Sequence, residues 1–417
     1  MLAILTTHPI QYQVPLWQAL ARDGRVPFEV WYLTSHAVQQ SHDREFGSSF
    51  AWDIDLLSGY RYRLLRTALG ATPNTFWRCR VTESFPALFK ETNTKAVWIQ
   101  GWQVAAYWQA VWKAKAAGVE VWMRGESNDL APVPWWKRSI KRLVLGQLFK
   151  RVDRFFYIGS ANRRLYEKFG VPKGKLFPAP YAVDNERFRL QAEAIRGQRS
   201  VVRSRWSIPE ESFCILFCGK FIPKKRPMDI VEAAKLLMQS TPDMKVHLLF
   251  AGSGELGAQL RAACNVVYDA EAGQASVVSD QRSAEEKPTS DIRPLTSEAK
   301  PRASFAGFLN QTEVSRAYVA ADVLVLPSDY GETWGLVVNE ATASGLPSII
   351  SDRCGCAEDL GDNPNTTYPC GKTESLATAI TRTKGSSFNP EDLLRILSQH
   401  SLKNTIDSVA EIYSPNS

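Results

Sequence analysis

Short apolar runs rich in β-branched and aromatic residues alternate with stretches whose apolar positions recur at helical spacing. Runs at residues 2–5, 28–33, 96–99, 120–123, 155–158, 213–217, 246–250, 303–305, 323–326 and 348–350 read as buried strands, with helices between most of them. This is the rhythm of βαβ units and predicts an α/β fold on parallel sheets. A hydrophilic stretch at 190–204 precedes the fresh strand at Phe213, which divides the chain into one domain over 1–190 and a second over 205–390. Residues 265–302 turn polar, rich in Ser, Glu, Ala and Pro, and read as a disordered insertion with too little to bury. Helical spacing returns at Leu393, Leu394, Ile396 and Leu397 and again at Ile406, Val409 and Ile412, making 391–417 a helical segment.

Composition narrows the class. The chain has 417 residues, 44% hydrophobic and 22% charged, enough for two large cores. The amino terminus lacks a basic region and reads as a first strand, and no run approaches the roughly 18 apolar residues of a membrane span. Seven scattered cysteines form no disulfide framework, which suits a reducing cytoplasm. The close pairs Cys354-Gly-Cys356 and Cys214/Cys218 lack the companions of a zinc site, so no metal is expected.

The formal charge of +7 is concentrated. Lys137, Arg138, Lys141, Arg142, Lys150, Arg151 and Arg154 stand against Asp153 alone, pointing to an anionic surface or substrate there and away from nucleic acid. On a helical projection Trp136, Ile140, Leu143, Val144 and Leu148 form a stripe expected to pack on the core. Leu145 and Phe149 fall among the bases. With Trp135 nearby, the segment reads in two ways: as a solvated helix whose stray apolar residues meet a neighbouring loop, or as an interfacial helix that docks peripherally on the inner face of an anionic cell membrane, beside a lipid-linked acceptor.

The densest chemistry lies in 326–350, running from a buried strand through a polar turn into a helix. Glu332 sits in the turn and Glu340 inside the helix, facing one crevice at two depths, so that one can meet a sugar and the other a ribose. Between them the amides of Thr333, Trp334, Gly335 and Leu336 open the helix, where unpaired N–H groups and the dipole favour a phosphate. Gly335 permits close backbone approach.

These residues resemble the signature of the retaining glycosyltransferases of family four, glycosyl transferases group 1: two glutamates eight apart with an aromatic-glycine pair between. The resemblance implies the GT-B fold, two facing Rossmann-like domains with the acceptor on the first and a nucleotide-diphosphate sugar on the second. It assigns Glu332 to donor-sugar hydroxyls and Glu340 to the ribose, with Trp334 standing where phenylalanine is usual. Gly219, Lys220 and Lys225 match a second block, implying that both lysines stabilise the diphosphate without metal or cofactor; Arg226-Pro227 stands where a glycine often follows. Gly252 and Gly254 match a tight turn at the donor cleft, and Phe308 lies in the loop that reads the base. In the first domain His8, Gln11, Tyr12, Arg124 and Glu126 follow strand ends and are candidate acceptor or cleft residues. The implied activity is hexosyl transfer in polysaccharide or lipid-linked glycan synthesis.

Two other readings compete. Gly252-x-Gly254-x-x-Gly257 follows a strand and spells a dinucleotide fingerprint, which supports a nicotinamide-dependent oxidoreductase, although its acidic partner would fall in the polar insertion. A non-catalytic nucleotide-sugar-binding protein on the same scaffold is the other. Asp53-Ile-Asp55, a metal-nucleotide motif elsewhere, reads as an incidental surface strand.

Overall fold

The computed structural model describes residues 1–35, 41–43, 48–50, 53–73, 75–271, 299–362, 365–386 and 390–414, with backbone alone for 41–43, 48–50 and 390. The first nine strands are β1 Leu2–Thr6, β2 Phe28–Tyr32, β3 Ser41–Asp43, β4 Ser48–Phe50, β5 Tyr62–Leu64, β6 Ala96–Ile99, β7 Glu120–Arg124, β8 Arg154–Tyr157 and β9 Leu176–Pro178. Then come β10 Phe213–Cys218, β11 Val246–Ala251, β12 Asn265–Asp269, β13 Arg302–Gly307, β14 Val323–Leu326, β15 Ser348–Ser351 and β16 Thr366–Tyr368. They form two seven-stranded parallel sheets, ordered β5-β2-β1-β6-β7-β8-β9 and β12-β13-β11-β10-β14-β15-β16, plus the antiparallel hairpin β3-β4. Each sheet starts at a central strand and reverses direction, between β1 and β6 and between β10 and β14. Those reversals open crevices at the carboxyl ends of the strands, the places where open α/β sheets bind ligands.

Eight of the ten expected strands lie within strands of the structure, and those at 28–33 and 155–158 overrun β2 and β8 by one residue each. β5, β9, β12 and β16 were not expected, and they are the four sheet edges. Their side chains are mostly half-exposed, so no apolar run marks them. β12 corrects the insertion's start: Asn265–Asp269 pairs with β13, and Val266 and Tyr268 pack on the cores of the second sheet. Residues 272–298 lie outside the described residues.

The hydrophilic stretch before β10 is no loose linker. It forms the helices Asn185–Arg196 and Arg199–Arg205, which pack on the second sheet through Phe188, Val202 and Trp206. Arg203 is 1% exposed, because its guanidinium is satisfied by the carbonyls of Ala320, Pro209, Glu210 and Ser212 and by Asp322. Farther on, the chain forms the helices Pro390–Gln399 and Leu402–Tyr413. The second returns to the first sheet, where Ile406, Val409 and Ala410 join a core with Trp17, Trp98 and Trp122. Each of these buried indoles removes on the order of 150–250 Å² from water, which accounts for the aromatic weight of the first half.

One buried titrating group follows from the packing of the second sheet. His247 on β11 is fully buried beside the Ser304 hydroxyl, 2.8 Å from Nε2, and burial, with Arg302 and Arg203 adding repulsion, pulls its pKa down to about 3. The unfolded chain therefore binds one more proton than the folded chain between about pH 6.5 and 3, and stability falls as pH drops through that window, by up to about 1.4 kcal/mol per unit. His247→Gln should flatten this acid limb in denaturant titrations at pH 4–7. An unchanged slope would exclude the histidine as its source.

Candidate active site

Three strand ends of the second sheet build one wall of the interdomain crevice. β10 ends at Cys218, and Gly219 follows with φ 149°. A side chain at Gly252 would strike the Gly219 carbonyl, and one at Gly254 would lie 2.7 Å from the Phe221 carbonyl. The dinucleotide-like glycines thus let two strand-end loops touch backbone to backbone. Asp269, at the end of β12, the next strand along the chain but separated from β11 by β13 in the sheet, is held by Arg261 at 2.6 and 3.0 Å. This packing role and that ion pair account for the fingerprint without a nicotinamide cofactor.

The lysine loop turns through a short 3-10 segment, Pro223–Lys225. Arg226 then takes a left-handed conformation, φ 50° and ψ 43°. Such a residue costs about 1–2 kcal/mol, offset here by its fork onto Asp229 at 2.8 and 3.0 Å. The loop is held so that Lys225 Nζ pairs with the Glu332 carboxylate, which also accepts from Ser328 Oγ at 3.3 Å.

Behind Glu332 the turn is compressed. Gly335, φ 109°, caps the helix Leu336–Ala343, and a Cβ there would come within 2.6 Å of Leu326. The Gly355 and Cys356 amides donate to the carbonyls of Glu332 and Trp334 at 3.2 and 3.0 Å. The cysteine pair flagged in the sequence is thus a buried brace for the turn. Among the described residues no cluster of His, Cys, Asp and Glu could hold a metal ion. Trp334, standing where the resemblance has phenylalanine, borders the cavity but is 2% exposed. Its indole packs on Gly159, Tyr181 and His400, and Nε1 donates to Asn339 at 2.8 Å.

Glu340 lies deeper, 3% exposed. Its Oε2 accepts from the Tyr318 hydroxyl, and Oε1 is buried without a partner. Burial pushes its carboxyl above the ordinary range, against the pull of the Tyr318 hydrogen bond and of Arg187. Tyr12 of the first domain also reaches this carboxylate.

These groups enclose a cavity of about 430 Å³ between the domains. Gln11, Tyr12 and Glu126 line it from the first domain, and Gly219, Lys220, Lys225, Gly252 and Phe308 from the second. Glu332, Thr333, Trp334, Gly335, Leu336 and Glu340 complete the wall. Three predicted residues stand back from it. Gly254 is packed on Phe221; His8 Nδ1 lies 3.0 Å from Thr7 Oγ1; and Arg124, 4% exposed, stacks 4.8 Å from the Tyr181 ring. Arg124 is thus placed to support Tyr181, whose hydroxyl donates to Glu126 at 2.7 Å. Tyr318 and Gln311 were missed; the second lines the cavity and accepts from Arg187 at 2.7 Å. Helical spacing marks Tyr318 as core, and nothing local sets Gln311 apart.

A larger cavity of about 940 Å³ lies elsewhere, running from Lys95, Glu120 and Arg154 at strand amino ends along β8 to Tyr157 and Gly159, and bordered by Asp359, His400 and Tyr413. Asp53-Ile-Asp55 is not a strand: Asp55 caps its own turn at Leu57 and Ser58, and Asp53 accepts from Thr312 of the second domain.

Residues 212–384, the span that supplies the lysine loop and the glutamate turn, match the family model of the glycosyl transferases group 1. Over this span the second domain is similar to the group 1 glycosyl transferases. A D-inositol 3-phosphate glycosyltransferase of Thermomonospora curvata is 25% identical over 257 residues, 60% of this chain and 54% of that protein. One from Nocardioides is 29% identical over 163 residues, 37% of this chain and 30% of that protein. The match to these curated relatives therefore spans about half of their length or less. The fold is shared over almost the whole chain with a glycosyltransferase from Rickettsia africae, at TM-score 0.66 and 12% identity, covering 100% and 99% of the two chains. Anabaena Alr3699/HepE in complex with UDP and glucose gives TM-score 0.61 at 14% identity, covering 99% of each. The two-sheet architecture is thus that of GT-B glycosyltransferases.

In this second domain the buried Glu340 has a testable signature. Its carboxyl titrates higher when folded than when unfolded, so its ionisation costs stability as pH rises beyond the ordinary carboxylate range. Glu340→Gln should raise Tm at pH 8, by about 2–4 °C for each kcal/mol relieved, and the gain should vanish in acid. The same variant should bind nucleotide roughly tenfold or more weakly, as expected for loss of a charged hydrogen bond. A lower Tm at pH 8 with unaltered nucleotide binding would show that the carboxylate is only structural.

Proposed function

We propose that this protein is a retaining, metal-independent glycosyltransferase of family four that moves a sugar from a nucleotide-diphosphate donor to an acceptor on the first domain. The observation that carries the reading is the single cavity where Lys220, Lys225, the amino end of helix Leu336–Ala343, Glu332 and Glu340 converge. Two cations and unpaired helix amides suit a diphosphate and gain strength as the leaving group accumulates charge. Glu332, oriented by Lys225 and Ser328, accepts from donor-sugar hydroxyls. Glu340 offers its unpartnered oxygen to the ribose. UDP and UDP-glucose complexes of Alr3699/HepE support a nucleotide-sugar donor. In this reading the departing diphosphate takes the acceptor proton on the face from which it leaves, which preserves configuration without an enzyme nucleophile.

The basic helix Trp135–Phe149 corrects the sequence projection. Leu145, Leu148 and Phe149 are buried, whereas Trp135, Trp136, Ile140, Leu143 and Val144 are exposed, at 48–78%. Only the last turn meets the domain core; the projection assumed packing along the whole length. The first ten residues of the helix, with Lys137, Arg138, Lys141 and Arg142 among them, face solvent on all sides. Among the described residues no helix is long and apolar enough to cross a membrane. An exposed set of tryptophans and aliphatics between four bases fits an anionic bilayer interface. Phe149 at the end of the helix meets Trp102 at the first-domain strand ends, 5.4 Å between ring centroids, so docking would bring the cleft near a lipid-linked acceptor of polysaccharide or glycan synthesis.

Two measurements test this. With a panel of UDP-, GDP- and ADP-sugars, nucleotide release should survive EDTA within about twofold, while Lys225→Ala loses about 2.7–4 kcal/mol of transition-state stabilisation, the scale of one oxyanion donor. Abolition by EDTA with rescue by manganese would overturn the metal-free mechanism. In vesicle sedimentation, wild type should pellet with anionic but not neutral liposomes at low salt, attraction running near ~1 kcal/mol per basic residue. Both Lys137/Arg138/Lys141/Arg142→Glu and Ile140/Leu143→Glu variants should remain in the supernatant; wild type that ignores anionic vesicles would remove the membrane from the reading.

A further inference from the structure

A second, smaller cavity of about 230 Å³ lies at the carboxyl ends of β1, β6 and β7. It shares Glu126 and Thr333 with the donor cavity, so a group seated in it abuts the place where the donor sugar would lie. Its walls have a narrow chemistry. Thr6, Thr7, Gln100, Gln103 and Ser127 present hydroxyls and amides, Trp102 and Tyr107 add aromatic surface, and no lysine, arginine or histidine takes part. Glu126 is the only carboxylate in the lining. Gln100 is 7% exposed, and its Nε2 is buried without a hydrogen-bond partner. Arg124, two residues before Glu126, is turned onto the Tyr181 ring and does not line this cavity.

We propose that this cavity is the acceptor subsite and that the moiety it takes is an uncharged polyhydroxylated ring, a sugar or cyclitol bearing no phosphate. The proposal rests on the reading of the neighbouring cavity as the donor site. Three observations carry it. The volume is below the roughly 300–1,000 Å³ that holds a drug-sized ligand, which restricts it to one ring. The walls offer neutral donors and acceptors, with the unspent Gln100 amide awaiting a hydroxyl oxygen. A phosphate seated beside the half-buried Glu126, with no cation in the lining, would set two like charges side by side without compensation. Any charged remainder of the acceptor must lie outside, toward the basic helix that Phe149 connects to Trp102.

The test uses the full chain in two steps. Isothermal titration with UDP, GDP and ADP first establishes nucleotide binding; if wild type binds none, the donor reading fails, and with it the basis of the proposal. With the bound nucleotide present, saturation-transfer NMR then compares methyl hexopyranosides and myo-inositol with hexose 6-phosphates and inositol 1-phosphate. At least one neutral ring should bind, its phosphorylated counterpart about tenfold more weakly, as for a site with no partner for the added charge. Gln100→Leu and the isosteric Gln100→Glu should each weaken the neutral ring about tenfold while leaving nucleotide affinity and Tm unchanged. Nucleotide binding accompanied by equal or tighter binding of the phosphorylated rings, or by no neutral ring at all, overturns the proposal. So does neutral-ring binding that both Gln100 variants leave intact.

Discussion

The site depends first on the burial of one indole between the domains. Trp334 sits in the donor turn yet spends its surface on Gly159 and Tyr181 of the first domain and on His400 of the returning segment. A side chain at Gly159 would collide with the ring, and one at Gly355 with the turn's own backbone at Thr333. The same joint holds Asp359, whose carboxylate accepts from the Ser160 amide and hydroxyl at the start of a first-domain helix, and Asn128, which donates to Thr333 at 3.2 Å. The turn that carries Glu332 is therefore positioned by contacts from both domains, and domain orientation and site geometry are fixed together.

Around that joint the fold spends stability on chemistry. Glu340 is buried against its preference for water, and one of its oxygens is left without a partner. Arg226 is held in a left-handed conformation that lets Lys225 reach Glu332. Charges fixed in advance in a cavity with little water act at higher strength and need no reorganisation during reaction. The large apolar cores on both faces of each sheet carry these local costs.

How much of this was legible in the sequence follows from how local each signal is. The Glu332–Glu340 block needs only one strand, one turn and one helix, and its parts meet because they are neighbours in the chain. Central strands, buried on both faces, announce themselves as apolar runs; edge strands such as β12 and β16, half exposed, do not. The helix Trp135–Phe149 was misjudged because a projection gives the direction of each side chain but not where along the helix the core begins and ends. Arg203 looked like part of a hydrophilic linker because its partners, Asp322 and the Ala320 carbonyl, lie more than a hundred residues away. Tyr318 and Gln311 escaped for the same reason, since their meaning depends on what packs against Glu340 and Arg187.

The return of helix Leu402–Tyr413 to the first sheet bears on how the chain acquires its structure. Ile406, Val409 and Ala410 complete a hydrophobic layer begun by Leu2 and Ile4, some four hundred residues earlier, and Arg25 reaches Asp407 at 2.6 Å. During synthesis the first sheet leaves the ribosome with that face covered only in part, by helix Val14–Asp23 and Leu56, and it stays so while the whole second domain is made. Domains that emerge first generally fold first, but this one can close its core only after the last helix has emerged. The interval leaves uncovered the surface that Ile406, Val409 and Tyr413 later occupy, Trp122 included, which Tyr413 meets at 6.4 Å between ring centroids. Closing so long a loop adds only logarithmically to the entropic cost, so the late clasp is slow to find more than weak once made.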